Sequence, residues 1–467
     1  MKKLICMTLA LVLMLGTMVL PASAEETMGK LYKLPFSYSD FIGMGGNVIV
    51  VGKTVEDANG ESVMKYGAVD YTGNVIVPFE YDWANAPDPS YGTFLAGKID
   101  LDALRSDEYI IGEDFVPVNI RTKYGIDGFV GVIDYDAMAR ELSFLTMDSN
   151  TGVYSIKKIS TNTNVPLFEY TCSDKVTVPV YGATDGTYYA YSDLSTLVLT
   201  DGVKETVFTK DHENEILLLL GFDSGNLYFA SATLDSDTFE ASTTLMCVNA
   251  QSGRAENLTE RYGVVDVAVN IYAEAAVNGK MIVANDQGKY AYMDFATGVN
   301  TGYIFDMVSY ASFTDYIPVI IGETATYYTL DGKPTNAAFY DCSNFSNGMA
   351  FVTANAQGET FAIDKSFERI SQNTLSLPDR VMLYCHDGIL VTYSEQSNRV
   401  EFCQLSNDPD FQIRGDANGD ERVDVADIIF MKNGIMSGNA PLTGDLNGNG
   451  SVDVQDIIAL KLLIMSN

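Results

Sequence analysis

Short runs of β-branched and aromatic residues, separated by turn residues, fill most of the chain between Glu25 and Leu405. Helical periodicity is almost absent there, and clusters of Gly, Asn, Asp and Ser interrupt the apolar runs at short intervals. This pattern predicts an all-β domain over residues 25–405. The apolar runs lie at residues 47–51, 75–77, 144–147, 216–220, 281–283 and 391–393.

A repeated unit runs through this region and is clearest at residues 65–82, where an aromatic-glycine pair precedes an Asp-x-x-Gly turn and a Pro-x-x-Tyr-Asp element. Each unit is expected to form a small β-sheet. One sheet of this size cannot bury both of its faces alone, so neighbouring units must stack. Radial stacking gives a β-propeller of four-stranded blades, and roughly 40 to 50 residues per blade predicts seven or eight blades. An open β-solenoid is the alternative. Weaker copies of the unit lie at residues 289–306, 327–341 and 360–364.

The unit resembles the WG (Trp-Gly) repeat of bacterial surface and secreted proteins. Tyr66 stands where that family carries tryptophan, and the resemblance fades between residues 125 and 260. It implies that each unit is a small antiparallel sheet within a larger repeat fold.

The pattern changes after Arg414, where two polar loops each run into an apolar segment with helical spacing. Val423 and Val452, at position 8 of the loops, are expected to pack against each other. The helical spacing assigns the following residues to a small internal core: Ile428, Met431, Ile435, Ile457, Leu460 and Ile464.

Both loops carry the oxygen pattern that calcium requires. A loop of about twelve residues wraps one ion with side-chain oxygens at positions 1, 3, 5, 9 and 12 and a carbonyl at position 7. The sequence therefore predicts two calcium ions. The ligands in loop 1 are Asp416, Asn418, Asp420, Arg422 through its carbonyl, Asp424 and Asp427. Those in loop 2 are Asp445, Asn447, Asn449, Ser451 through its carbonyl, Asp453 and Asp456.

Position 6 of such a loop favours glycine, because the turn there needs a left-handed backbone. Gly450 meets this need in loop 2. Glu421 must adopt the same conformation in loop 1, at a cost of about 1 to 2 kcal/mol. Loop 1 carries more carboxylates but also this strain, so the sequence does not decide which loop binds calcium more tightly.

The two loop-helix units resemble a type I dockerin over residues of about 414 to 467. Glycine precedes each loop (Gly415 and Gly444), whereas an ordinary EF-hand has an entering helix. The resemblance implies a small all-α module that folds with calcium and binds a cohesin of a scaffoldin. It also implies a secreted, cellulosome-associated protein in the context of polysaccharide degradation.

Two apolar pairs on the predicted helices have no internal role. Val425 with Ile429, and Val454 with Ile458, lie one helical turn apart on the outward side of each copy. The dockerin resemblance implies that loop positions 10, 11, 17 and 18 contact cohesin. Because the copies match, changing Val425 or Val454 alone should weaken binding little, whereas changing both should cost far more. The predicted cohesin contacts are Val425, Ala426, Ile429, Lys432, Asn433, Val454, Gln455, Ile458, Lys461 and Leu462.

The absence of a Ser-Thr pair at positions 10 and 11 predicts a cohesin of more hydrophobic preference.

The first residues have the form of a signal peptide, in which two lysines and an apolar run precede Ala22-Ser23-Ala24. This predicts export and no membrane span after cleavage, with a retained anchor as the alternative. The sequence thus divides into a signal peptide (1–24), the β domain (25–405), a linker (406–413) and the dockerin (414–467).

The net charge of −33 repels phosphate backbones and excludes nucleic-acid binding. The 47% content of hydrophobic residues predicts a folded chain rather than a disordered one. Cysteines outside the signal peptide are scattered, which predicts buried thiols rather than disulfides or a zinc site. They are Cys172, Cys247, Cys342, Cys385 and Cys403.

Catalytic residues cannot be assigned from the sequence. It contains no G-x-S-x-G, H-E-x-x-H or P-loop motif. His212 lies in a polar turn, and Cys385 and His386 are neighbours that point opposite ways on an extended segment. Trp83 is either a blade-face contact or core. The sequence favours a non-catalytic binding or structural protein; the alternative is a glycoside hydrolase or lyase with catalytic carboxylates in the β domain.

Overall fold

The structure is a computed structural model. It describes residues 28–57, 59–100, 105–234, 241–267, 278–308, 313, 315–408, 411–437, 439–440, 444–446 and 451–466. The predicted signal peptide and the predicted calcium ligands Asn447 and Asn449 lie outside these residues.

The described part of residues 28–408 forms nine antiparallel sheets, which are the blades of a nine-bladed β-propeller. The first strand, β1 (Lys30–Tyr38), precedes blade 1. Blade 1 contains β2 (Asp40–Gly45), β3 (Val48–Glu56), β4 (Ser62–Asp70) and β5 (Val75–Tyr81); blade 2 contains β6 (Trp83–Ala84), β7 (Phe94–Asp100), β8 (Arg105–Ile111) and β9 (Pro117–Asn119). Blade 3 contains β10 (Phe129–Asp136), β11 (Glu141–Met147), β12 (Tyr154–Ser160) and β13 (Pro166–Thr171); blade 4 contains β14 (Tyr181–Thr184), β15 (Tyr189–Ser192), β16 (Thr196–Thr200) and β17 (Glu205–Thr209).

The remaining blades follow in the same order. Blade 5 contains β18 (Glu215–Asp223), β19 (Asn226–Leu234), β20 (Ala241–Asn249) and β21 (Ala255–Asn257); blade 6 contains β22 (Asp266–Val267), β23 (Lys280–Ala284), β24 (Tyr290–Asp294) and β25 (Val299–Asn300). Blade 7 contains β26 (Met307–Val308), β27 (Tyr316–Ile321) and β28 (Thr324–Thr329); blade 8 contains β29 (Asp341–Cys342), β30 (Met349–Thr353), β31 (Glu359–Asp364) and β32 (Leu375–Ser376). Blade 9 contains β33 (Arg380–His386), β34 (Ile389–Ser394) and β35 (Arg399–Ser406).

The N-terminal strand closes the ring. β1 pairs antiparallel with β35, with Leu31 opposite Leu405, and takes the fourth place in blade 9. First strands of successive blades contact each other, as β10 does β14 and β14 does β18, which places them toward the centre of the ring. Because β1 pairs with the outer side of β35, strands from the two ends of the propeller domain share one sheet, which joins the first and last blades.

The predicted count of seven or eight blades was wrong. Several blades are shorter than the assumed repeat, since blade 8 runs only from Asp341 to Ser376 and several strands in blades 6 to 8 have two residues. Blade 7 has three regular strands among its described residues. Isolated bridges, Ala325 with Phe339 and Tyr328 with Pro334, stand where a fourth strand lies in other blades.

Three aspartates of the repeated unit occupy one place in the blades, whereas Asp331 of the copy at residues 327–341 lies two residues beyond the end of its third strand, β28. Asp70, Asp294 and Asp364 each end a third strand, and each side chain accepts backbone N–H groups of the turn that follows. Gly73 in the first of these turns has a φ of 86°, a conformation that glycine adopts without strain. The repeat is therefore a hairpin turn between the third and fourth strands.

A second recurrent aspartate joins consecutive blades. The Asp82 carboxylate follows blade 1, accepts the Ile99 N–H of blade 2 at 2.7 Å and pairs with Lys65 at 2.5 Å. Asp306 repeats the arrangement after blade 6, where it pairs with Lys289 and accepts the N–H of Gly322 in blade 7 at 2.8 Å. The weak sequence repeat thus encodes the contacts that hold one blade to the next.

Side chains between the blades form the core. Large aromatic residues are fully buried there, and the rings of Phe168 and Tyr189 stack at 4.6 Å. The five described cysteines are free, as predicted, but only three of them are buried, and Cys172 and Cys247 are half-buried. Burial raises the pKa of the Cys247 thiol to about 11, which keeps it protonated.

Four helices complete the described elements. Two are single turns that follow fourth strands: α1 (Ile120–Tyr124) and α2 (Leu258–Tyr262). The other two, α3 (Val425–Ser437) and α4 (Val454–Ser466), follow the two loops and pack against each other. No described helix is long and apolar enough to cross a membrane.

The C-terminal helices enclose the predicted small core. Met431 and Leu460 are fully buried, with Ala417 and Leu446 beside them. The position-8 valines join this cluster, as do five more helix residues, so the assignment from helical spacing is confirmed except at Ile435, which is not among its members. The partly buried members are Val423, Ile428, Val452, Ile457, Ala459, Leu463 and Ile464.

Candidate calcium and cohesin site

Loop 1 is folded around its first carboxylate. Asp416 is only 7% exposed, and its Oδ1 accepts the N–H of Gly419 at 2.7 Å and that of Asp420 at 3.1 Å. Its Oδ2 accepts the N–H of Glu421 at 2.7 Å. Gly419 and Glu421 have φ values of 77° and 67°, so the predicted left-handed backbone at Glu421 is confirmed.

The last carboxylates of the two loops make matching contacts. Asp427 accepts the N–H of Ala417 at 3.0 Å and that of Asp424 at 2.8 Å. Asp456 accepts the N–H of Leu446 at 2.9 Å and that of Asp453 at 2.8 Å. Each carboxylate therefore ties the start of its loop to the start of the following helix, so the described ends of loop 2 repeat the contacts of loop 1.

The donor set fits calcium. Asp427 is fully buried, burial raises its pKa, and no basic side chain in the described part of the chain forms an ion pair with it. A buried carboxylate needs a compensating charge, and a hard cation supplies one. Among the described residues no three His, Cys, Asp or Glu side chains converge as a metal site.

All ten predicted cohesin contacts lie exposed on the module surface. The exposed fractions of Val425 and Ile429 are 60% and 56%, and those of Val454 and Ile458 are 62% and 55%. The structure therefore brings each predicted pair to the same outward stripe of its helix. We name these the copy-1 stripe (Val425, Ile429 and Asn433) and the copy-2 stripe (Val454, Ile458 and Leu462).

The module contacts the propeller, which was not predicted. Leu463 of α4 and Phe411 of the linker pack against the apolar cluster around Phe36 of β1. The Phe411 ring lies 4.7 Å from that of Tyr32, and Lys30 forms an ion pair with Glu421. One signal was available, because the two copies differ where α4 meets the propeller.

Other candidate groups in the β domain have structural roles. The Cys385 thiol is buried, which raises its pKa and disfavours the reactive thiolate, and burial lowers the pKa of His386. Trp83 covers Gly97 of the neighbouring strand, where any added Cβ would lie 2.2 Å from its ring nitrogen. His212 is exposed in a turn, as predicted.

Two buried carboxylates with raised pKa values link neighbouring blades. Burial raises the pKa of Glu108 to about 7, and its side chain accepts the N–H of Val132 in blade 3 at 2.9 Å. Burial likewise raises the pKa of Asp341 to about 6, and this residue accepts the N–H of Met382 in blade 9 at 2.9 Å. Each carboxylate therefore joins its own blade to the next one.

Comparison with protein families agrees with the geometry of the two loops. Residues 414–465 match the type I dockerin domain. The C-terminal module is a type I dockerin. Residues 66–94 match the WG containing repeat, and this match spans the third and fourth strands of blade 1 and the start of blade 2. A search of curated proteins finds no match to the chain.

Solved structures that match parts of this chain come from proteins of varied kinds. A eukaryotic initiation factor has a TM-score of 0.40 and 10% identity, covering 77% of this chain and 96% of its own. An acylaminoacyl peptidase of Pyrococcus horikoshii has a TM-score of 0.36 and 10% identity, with coverages of 68% and 58%. For dipeptidyl peptidase 4 of Porphyromonas gingivalis these values are 0.34, 10%, 66% and 57%. Such distant similarity indicates nothing about activity.

Proposed function

We propose that this protein is secreted, attaches to a cohesin through its calcium-loaded dockerin, and presents the propeller as a non-catalytic binding or structural domain in a cellulosome. The observation that carries the proposal is the duplicated loop-helix unit, in which both helices expose an apolar pair at the same positions. A scaffoldin cohesin is the partner that a dockerin implies, and the signal-peptide pattern at residues 1–24 supports export.

Calcium supplies the positive charge around which each loop folds, and we propose one ion for each loop. Asp427→Ala should abolish calcium binding in loop 1, and Asp456→Ala should do the same in loop 2, because each buried carboxylate anchors its own loop. Calorimetric titration of the full chain should then count one ion in either variant and two in the parent. An unchanged count in both variants would contradict the assignment.

Cohesin binding is tested by charging both stripes at once. Val425→Asp combined with Val454→Asp buries two carboxylates in the complex, where they lose hydration without gaining partners. Affinity for a panel of cohesins should fall at least about a hundredfold. Val203→Asp is the matched control, since Val203 is 89% exposed on a propeller turn. Equal affinities in the double variant and the control would place the interface elsewhere.

The role of the propeller is tested separately. The full chain is incubated with a panel of plant polysaccharides, and both pull-down and release of reducing ends are measured. Pull-down without release would support a binding domain. Release of reducing ends would instead support the alternative, a glycoside hydrolase or lyase whose carboxylates lie in the β domain.

A further inference from the structure

The dockerin is held against the strand that closes the propeller ring. Leu463 and Phe411 extend the apolar cluster that Phe36 and Phe402 form at blade 9. The ion pair between Lys30 and Glu421 adds a polar contact at the edge of this surface. The linker therefore does not suspend the module at a distance, and one side of the module faces the propeller.

The two dockerin copies differ in sequence where this contact is made. Leu463 occupies position 19 of copy 2, and the same position of copy 1 is Gly434. A Cβ at Gly434 would lie 2.8 Å from the backbone of Ala440. Position 19 of copy 1 therefore packs against the chain that follows α3 and has no side chain with which to contact the propeller. The copies thus match at their exposed apolar pairs but differ where copy 2 meets the propeller.

A cavity of about 450 Å³ separates the end of α4 from the propeller. Leu462 and Met465 line the dockerin wall, whereas Val75 and Phe79 of blade 1 line the opposite wall. Leu462 is also the last residue of the copy-2 stripe. A partner that covered this stripe along its whole length would enter the space that blade 1 borders.

No residue of the copy-1 stripe lines this cavity, although Glu421, Arg422 and Val423 of loop 1 border the propeller at a second one. Asn433, which corresponds to Leu462, is exposed and lines neither this cavity nor the adjacent one of about 360 Å³. Phe430 corresponds to Ala459, and its ring is 44% exposed, whereas Ala459 lines the cavity. Leu462 is itself 63% exposed, so the copies differ in what borders their stripes and not in how much apolar surface they expose.

We propose that the propeller makes the two dockerin copies unequal, so that cohesin binds along α3 through the copy-1 stripe. This inference rests on the proposed cohesin docking and adds its orientation. It replaces the symmetric behaviour expected from the sequence, because packing of α4 on blades 1 and 9 removes the equivalence that the sequence repeat suggests.

Val425→Asp and Val454→Asp form a matched pair, because the parent side chains are 60% and 62% exposed at the same loop position. Each is introduced singly into the full calcium-loaded chain, and cohesin affinity is measured by calorimetry, with Val203→Asp as the control. We expect the loss for Val425→Asp to exceed that for Val454→Asp by about tenfold or more. Circular dichroism and calcium titration show whether each variant keeps its fold.

A released dockerin provides the second measurement. Phe411→Ser with a flexible insertion of about ten Gly and Ser residues after Asn407 frees the module from the propeller. In this background the two aspartate variants should lose similar affinity, within about threefold. A persistent tenfold difference would mean that the copies are unequal for reasons other than the propeller.

The outcomes separate the two hypotheses. Equal losses for the two single variants in the intact chain, or a larger loss for Val454→Asp, would overturn the inferred orientation while leaving cohesin docking intact. Unchanged affinity in the double variant would instead contradict the proposed interface itself.

Discussion

The propeller and the dockerin are stabilised in different ways. Apolar clusters lie between successive blades of the propeller, and the pairing of β1 with β35 makes the ring continuous. The core of the dockerin has four buried apolar residues, and beside it lie the buried carboxylates Asp427 and Asp456. The large domain can hold itself together by burial of apolar surface, whereas the small one buries charge that a cation must balance.

Removal of calcium should have the largest effect and should be confined to the dockerin. With a chelator in excess, repulsion among the loop carboxylates opposes folding, so the helical signal of α3 and α4 should be lost. Calorimetry should show loss of one transition while the propeller transition changes little. The same chelator already saturated with calcium is the control. A large shift of both transitions would mean that the two domains unfold as one unit.

A substitution that leaves a cavity in the propeller core should destabilise the propeller and leave the dockerin unchanged. Phe144 in β11 is 2% exposed, and Phe144→Ala should lower the free energy of unfolding of the propeller by about 3 to 5 kcal/mol. Calcium titration of the dockerin should be unchanged. Ile99→Ala is the control, because Ile99 is 52% exposed in the neighbouring blade and should cost little. Weakened calcium binding in Phe144→Ala would show that the two regions are coupled.

The stability of the propeller should also depend on pH, through a carboxyl group outside the dockerin loops. Burial raises the pKa of Glu108 from 4.5 to about 7, so the folded protein holds this proton more tightly than the unfolded chain. The resulting stability is complete below the lower value and is lost as the pH rises through the higher one. Glu108→Gln keeps an acceptor for the Val132 N–H and should remove up to a few kcal/mol of this loss.

Urea unfolding of the propeller at about pH 5 and about pH 8 measures this effect. The parent should lose more stability across this interval than Glu108→Gln. Glu395→Gln changes the same charge on an exposed turn and should follow the parent. If the parent and Glu108→Gln lose equal unfolding free energy between the two pH values, Glu108 does not titrate in this range.

Local chemistry was predictable in both regions, whereas contacts between distant segments were not. The turn at Asp70 and the left-handed Glu421 could be inferred because neighbouring residues alone determine them. The pairing of Leu31 with Leu405 joins opposite ends of the propeller, and no local pattern marks it. The blade count failed for the same reason, since it assumed one repeat length and did not anticipate that β1 completes blade 9.

The smallest expected effect concerns a residue that contributes to both regions, because Glu421 lies in loop 1 and also pairs with Lys30 of the propeller. Its φ of 67° costs about 1 kcal/mol relative to glycine, and the exposed ion pair returns about 0 to 1 kcal/mol. Glu421→Gly removes both contributions but keeps the N–H that Asp416 accepts.

Glu421→Gln separates the two contributions, because it removes the charge and keeps the strained backbone. We expect Glu421→Gly to stabilise the calcium-loaded dockerin by up to about 1 kcal/mol and Glu421→Gln to destabilise it slightly. The thermal midpoint of the dockerin transition measures both. If Glu421→Gly is the less stable of the two, contact with the propeller matters more to this loop than its own backbone strain, and the dockerin is less independent than its separate core suggests.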